Sequence, residues 1–212
     1  MARLTRKERQ AQTRSSLMEA AAKVFARRGL QRASIDEVAA EAGYTKGAFY
    51  ANFRSKEDLF LAMLDERFAT RLSEVERRTE TDEAPEEQAR LAGADFGRAI
   101  AADPEWERLF FEFATHAARD ERFREELVTR YRSLRRRIED VYRRRMDREG
   151  LPEPPVPLDQ VALMTFAMAN GMALEKLLEP EAVPDELYGT MLMIFFSGLR
   201  ALVEGSAPAS RR

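Results

Sequence analysis

Apolar residues recur at helical spacing along most of the chain. Leu17, Ala21, Val24 and Phe25 fall at i, i+4, i+7 and i+8, one face of a 3.6-residue period. Thr5 with Glu8 makes a capping box that opens this first helix, and Gly29 marks its end. A shorter stripe, Ile35, Val38, Ala39 and Ala42, follows a second capping box at Ser34 and Glu37 and stops at Gly43. Thr45 can cap a third, very short helix with Ala48, Phe49 and Phe53 on its buried side. Two short helices joined by a tight glycine turn make a helix-turn-helix. Ser55 and Asp58 repeat the capping signal and open a longer helix to about Arg78, apolar on more than one side at Leu59, Leu61, Met63, Leu64, Phe68 and Leu72.

Residues 79–88 are polar and read as a loop overlapping the start of a helix over about Glu86–Ala101. Asp103-Pro104 supplies an N-cap and an N1 proline for the next helix, which carries Trp106, Leu109, Phe110 and Phe113. A long helix is predicted over Asp120–Glu149, with the stripe Leu127, Tyr131, Leu134, Ile138 and Val141, before the proline-rich break at 150–157. With no alternating strand pattern, the chain is predicted to be all-α. Residues 1–55 form a three-helix helix-turn-helix domain, 56–78 a linking helix, 79–205 a larger helical domain and 206–212 a disordered tail.

The last two helices, about Leu158–Leu178 and Pro184–Glu204, are apolar nearly all round. On the first, Val161, Met164, Met168 and Met172 mark one side, and Leu163, Ala167, Leu174 and Leu178 another. A surface helix needs only one apolar stripe, so this pair is expected to pack on a second copy of the chain. Leu174, Leu178, Leu187, Met191, Ile194 and Gly198 are the expected homodimer contacts, and Gly171 and Gly198 allow close helix approach. Which face of each helix meets the partner and which faces inward stays open.

Thr45, Lys46, Gly47 and Tyr50 lie on the outward face of the short third helix, with Lys56 just beyond. Hydroxyls, an exposed helix start, a lysine and a glycine that lets backbone come close suit a phosphate-flanked groove. The alternative is that Tyr50 and Phe53 only pack a small bundle and the lysines are ordinary surface charges. The run Ala-Gly-Tyr-Thr-Lys-Gly-Ala-Phe-Tyr at 42–50, then Phe-Arg-Ser-Lys-Glu-Asp-Leu at 53–59, closely resembles the DNA-binding domain of TetR-family transcriptional regulators. Ala20–Gly29 extends the resemblance over about the first 60 residues. Tyr44 departs from the small aliphatic residue common there, and its ring either packs inward or reaches DNA. The resemblance implies a DNA-contacting set of Ser34, Tyr44, Thr45, Lys46, Gly47, Tyr50 and Lys56. Tyr50 and Lys56 resemble the family's phosphate contacts.

Charge supports a basic head on an acidic body. Met1–Phe60 holds twelve Lys/Arg and seven Asp/Glu, a balance of +5; from totals of 35 and 37, the remaining 23 and 30 give −7. Arg3, Arg6 and Arg9 could track a DNA backbone or minor groove, or form a fraying end. The arginine runs at 135–137 and 143–145 could be a second nucleic-acid patch, but better fit the solvated face of a long helix paired with glutamates. There is no cysteine and one histidine, and no nucleophile–base pair or phosphate loop. Glu112 and His116 share a helix face but are too few for a metal site. No enzyme activity, cofactor or metal is therefore expected. No signal peptide or 18-residue apolar run is read, so the chain is expected to be cytoplasmic, with no membrane partner.

The resemblance further implies a ligand-responsive homodimer, a repressor on a palindromic double-stranded operator. A small-molecule effector would enter the C-terminal domain and displace the linking helix, spreading the two heads. An interior rich in Trp106, Phe110, Phe113, Met164, Met168 and Phe195 favours a largely hydrophobic effector. The expected pocket set is Trp106, Phe110, Glu112, Phe113, His116, Tyr131, Thr165, Met168 and Asn170, its few polar members orienting the ligand. The alternative is a constitutive DNA-binding protein without effector.

Overall fold

The computed structural model describes residues 5–81, 83–150 and 152–206. Among these it has nine α-helices: α1 Arg6–Arg28, α2 Ile35–Glu41, α3 Lys46–Tyr50, α4 Lys56–Thr79, α5 Pro85–Ala102, α6 Pro104–Arg119, α7 Glu121–Glu149, α8 Leu158–Leu178 and α9 Leu187–Ser206. A single 3₁₀ turn, Pro180–Ala182, precedes α9. The sequence pattern does not predict that turn, and α9 begins at Leu187, three residues after the expected Pro184. Ser206 belongs to α9 rather than to a tail. Arg3 of the basic arm and residues 207–212 lie outside the described residues.

Local chemistry sets the helix ends. The Thr5 hydroxyl accepts from Glu8 N at 3.2 Å, and Thr5 N donates back to Glu8 Oε2 at 2.7 Å. Ser34 and Glu37 repeat the pair at 3.2 and 2.9 Å. These hydrogen bonds from the caps hold the Glu8 and Glu37 carboxyls below the usual glutamate range. Gly29 and Gly43 both sit at φ 73°, a left-handed region that glycine enters without a Cβ clash.

The chain packs as two compact units that interleave segments rather than follow chain order. One takes residues 5–67 and 105–128, the other 68–104 and 129–206, so α4 and α7 each contribute to both. In the first unit the core is Leu17, Val24, Phe25, Val38, Phe49, Phe53 and Phe60, all at most 2% exposed. Phe113 from α6 is fully buried with its ring 4.5 Å from Phe60, and Trp106 stacks on Phe60 at 5.5 Å. The α6 aromatics therefore share the core of the three-helix head.

In the second unit α5 and α9 cross with backbones touching. A Cβ on Gly93 would stand 2.5 Å from the Gly189 backbone, and one on Gly97 or Gly189 would overlap the carbonyl oxygen of Asp185 or Arg90. Around this crossing, Tyr188 packs on Phe96 and donates to Thr165 O at 2.9 Å. Tyr142 donates to Thr165 Oγ1 at 3.0 Å. Burial pushes the Tyr142 phenol up to about 12, and that of Tyr188 further in the same direction. Both stay neutral donors over the physiological range. Buried Gln88 joins the loop to α7: its Nε2 donates to Thr81 O at 2.6 Å, and its Oε1 accepts from Arg145.

The reading of no 18-residue apolar run does not hold for α8. A window of that length within Leu158–Leu178 reaches a mean hydropathy of 1.3 with at most two charged residues, and by length and composition could cross a membrane. Only 28% of that window is buried within the chain. The reason lies in how its faces divide. Val161, Ala162, Thr165 and Ala173 face inward, whereas Leu163, Met164, Ala167, Gly171, Leu174 and Leu178 are exposed. Met164, expected on the same side as Val161, thus lies on the open face. A helix apolar all round offers no period from which to assign its faces.

Candidate nucleic-acid interface

The head presents α3 on a scaffold that uses most of its polar groups internally. The Thr45 hydroxyl accepts from Ala48 N at 3.2 Å and so caps α3, keeping its own proton to donate. The turn from α2 is closed by Tyr44 N donating to Ala39 O at 2.9 Å and Gly43 N to Ala40 O at 3.1 Å. Asn52 Nδ2 donates to Ala48 O at 2.9 Å and finishes the helix. Phe49, fully buried, anchors α3 and packs edge-on against Tyr50 at 5.7 Å.

Of the seven expected contact residues, five are exposed and Tyr44 and Lys56 are half-buried. Ser34, Thr45, Lys46, Gly47 and Tyr50 are exposed, Tyr50 by 52%. Tyr44 is half-buried, so part of its ring packs and part remains accessible. A Cβ on Gly47 would meet only Thr45 Oγ1, at an ordinary 3.7 Å. Nothing inside the chain crowds a Cβ there, and the position is exposed. Lys46 Nζ pairs with Asp36 Oδ2 at 2.9 Å, and that hydrogen bond holds the ammonium above its ordinary pKa.

Lys56 has work besides any contact with phosphate. Its Nζ donates to Gln31 O at 2.8 Å and Ala33 O at 3.1 Å. Arg14, which sequence patterning did not single out, donates to Asn52 O at 3.2 Å with its guanidinium 4.3 Å above the Phe53 ring. It braces the segment after α3 from α1. No spacing rule could have found it, because the partner is a backbone carbonyl 38 residues away.

The residues expected around an effector divide between the two units. In the first, Phe110 and Phe113 are core, Trp106 stacks on Phe60, and His116 lies 5.2 Å from the Phe123 ring. Glu112 accepts from Leu30 N at 3.1 Å and Gln31 N at 3.0 Å. In the second, Tyr131 packs on Phe68 and Phe166 at 6.2 and 4.8 Å, and burial pushes its phenol up to about 12. Thr165 is buried with its hydroxyl engaged by Tyr142, while Met168 and Asn170 are half-buried. A cleft of this second unit bounded by Gly97, Ile100, Met172, Lys176, Val183 and Asp185 has room for about one water molecule.

Comparison with known proteins agrees with this reading of the head. Residues 17–63 match the family of bacterial regulatory proteins of the tetR type, and residues 85–201 match the C-terminal domain of BetI-type transcriptional repressors. The HTH-type transcriptional activator FasR of Mycolicibacterium smegmatis is 36% identical over 110 residues, 52% of this chain and 48% of that one. The chain thus spans about half the length, or less, of the curated relatives it matches. Among solved structures, FadR from Bacillus subtilis in complex with stearoyl-CoA superposes with a TM-score of 0.69 at 14% identity, covering 85% of this chain and 96% of that one. A SmeT–triclosan complex superposes with a TM-score of 0.68 at 22% identity, covering 88% and 90%. At these identities the two structures establish the shared fold alone. The family matches, taken with the capped helix-turn-helix, establish that the chain belongs to the TetR family of transcriptional regulators, which are DNA-binding proteins and not enzymes.

Proposed function

We propose that this chain acts as a homodimer that binds a palindromic operator through α3 and is released by a small, largely hydrophobic effector. The observation that carries the DNA half is the outward surface of α3. Thr45, Lys46, Gly47 and Tyr50 converge there, on a head whose balance is +5 by sequence. Support for an apolar effector comes from the two structural neighbours, one holding stearoyl-CoA and the other triclosan. Repression is the reading favoured by the BetI-type repressor match. Activation is the second reading, because FasR is an activator.

Tyr50 and Lys46 separate anchoring from base reading. Tyr50→Ala is expected to weaken binding to every duplex alike, by about 1 kcal/mol for one hydrogen bond lost. Lys46→Ala is expected to relax preference at one position of each half-site, where a good base contact discriminates by about 1–3 kcal/mol. Fluorescence anisotropy on a panel of single-base operator variants checks both. An unchanged panel for Lys46→Ala removes it from the reading set.

The effector half is tested with stearoyl-CoA and triclosan as probes. Binding is expected to raise the melting temperature and to lower operator affinity, a coupling of about 1–3 kcal/mol. The proposed route is α4, a continuous helix of 24 residues belonging partly to each compact unit. A response to neither probe, nor to a wider set of apolar compounds, would favour a constitutive DNA-binding protein.

A further inference from the structure

The turn between α1 and α2 is held from two directions by opposite charges. Its amides at Leu30 and Gln31 donate to the Glu112 carboxylate, one to each oxygen, at 3.1 and 3.0 Å. Its carbonyls at Gln31 and Ala33 accept from Lys56 Nζ at 2.8 and 3.1 Å. Ala33 N donates to Gly29 O at 3.2 Å within the turn, while the anion takes two further amides and the cation two carbonyls. Gly29 makes room for the anion. A Cβ there would stand 3.2 and 3.3 Å from the two carboxylate oxygens, tighter than ordinary packing.

Glu112 comes from α6, 81 and 82 residues along the chain from its partners. Its place is fixed by its neighbour Phe113, fully buried against Phe60. Ala33, the last residue of the turn, directly precedes Ser34, the N-cap of α2. The path from α6 to the DNA-reading helices is therefore short: carboxylate, turn, α2, then the tight Gly43 turn into α3. Hydrogen bonds from amides to an ionised carboxylate are roughly twice as strong as neutral ones.

We infer that Glu112 is a positioning residue for DNA recognition, fixing the α1–α2 turn, and with it the orientation of α2 and α3, from α6. It touches no DNA. The inference rests on the DNA-binding reading above and gives α6 a polar fastening to the α1–α2 turn beside the one that Lys56 of α4 supplies. Anything that draws the carboxylate away frees two amides at once and loosens the entry to the helix-turn-helix.

The test uses the full chain, with Glu112→Gln and Glu112→Ala beside the wild type. The ligands are a duplex that the wild type has selected from a random pool and an unrelated duplex of equal length. Glu112→Ala should accelerate amide exchange at Leu30 and Gln31 about tenfold relative to Val38 in α2. Its affinity for the selected duplex should fall about tenfold, while that for the unrelated duplex and the salt dependence stay unchanged, since no phosphate contact is lost. Glu112→Gln, which keeps one carbonyl oxygen, should fall between. Simple loss of folded protein would lower both affinities together and leave their ratio unchanged. An unchanged ratio in both variants would overturn the inference. If Glu112→Ala does not fold, the ratio for the isosteric Glu112→Gln decides. A wild type that enriches no duplex at all would refute the DNA-binding reading itself, and the inference with it.

Discussion

Replacing Gly97 with alanine is expected to destabilise the protein by about 3 kcal/mol, lowering its melting temperature by roughly 10 °C. The added methyl would overlap the carbonyl oxygen of Asp185, and the obstacle is backbone, which no rotamer change can relieve. Gly189→Ala meets the Arg90 carbonyl in the same way. Elsewhere in a helix the change from glycine to alanine stabilises by up to about 1 kcal/mol. Gly171→Ala and Gly198→Ala should show that ordinary sign in the isolated chain, since a Cβ at either would meet nothing within 4 Å. Thermal melts of the four variants followed by circular dichroism give the comparison. A neutral Gly97→Ala would mean that α5 and α9 do not cross as closely as described.

Ile194→Asp is expected to yield monomers that have lost operator affinity by at least 100-fold. Ile194 is 63% exposed, Leu178 70% and Leu202 55%, large apolar side chains of α8 and α9 that the rest of the chain leaves uncovered. Leu174, Leu187 and Gly198 are exposed with them, and Met191 is half-buried. Covering this face with a second copy would bury a carboxylate at residue 194 unpaired, at a cost of several kcal/mol. Monomers bind one half-site at a time and lose the effective concentration that a dimer supplies, about 10²–10⁴ in affinity. Gly198→Ala should reveal the same face more gently, stabilising the helix while weakening association. Sedimentation velocity and operator titration on Ile194→Asp decide the matter: a dimer that still binds DNA like the wild type would place the interface elsewhere.

The elements whose chemistry is local were legible in the sequence. Both capping boxes, the Thr45 cap, the Gly29 and Gly43 ends, the Asp103-Pro104 start and the bounds of α8 follow from residues within four positions of one another. The exposed α3 surface was legible for the same reason. What escaped depends on partners far along the chain. Lys56 reads as a surface cation until Gln31 and Ala33 are brought beside it, and Glu112 reads as a pocket carboxylate until it meets the Leu30 and Gln31 amides. Helical glycines carry the same ambiguity. Gly171 and Gly198 read as sites of close approach by a second copy, a separate matter from the touching backbones within the chain at Gly93, Gly97 and Gly189, which the pattern does not single out. A glycine states that a Cβ is absent, not which neighbour uses the space. Met164 fell on the open face of α8 for a related reason, because a helix with apolar residues on every side has no periodicity to orient it.

Selection from a pool of random duplex DNA by the full-length protein tests the central claim most directly. Enrichment of a two-fold symmetric sequence is expected, with half-sites one helical turn (about 34–36 Å) or a multiple of it apart. Two chains should bind per duplex, and Lys46→Ala should shift the enriched bases within each half-site. A pool that stays random, or an enriched sequence that is the same for Lys46→Ala and Tyr50→Ala as for the wild type, would contradict recognition through α3.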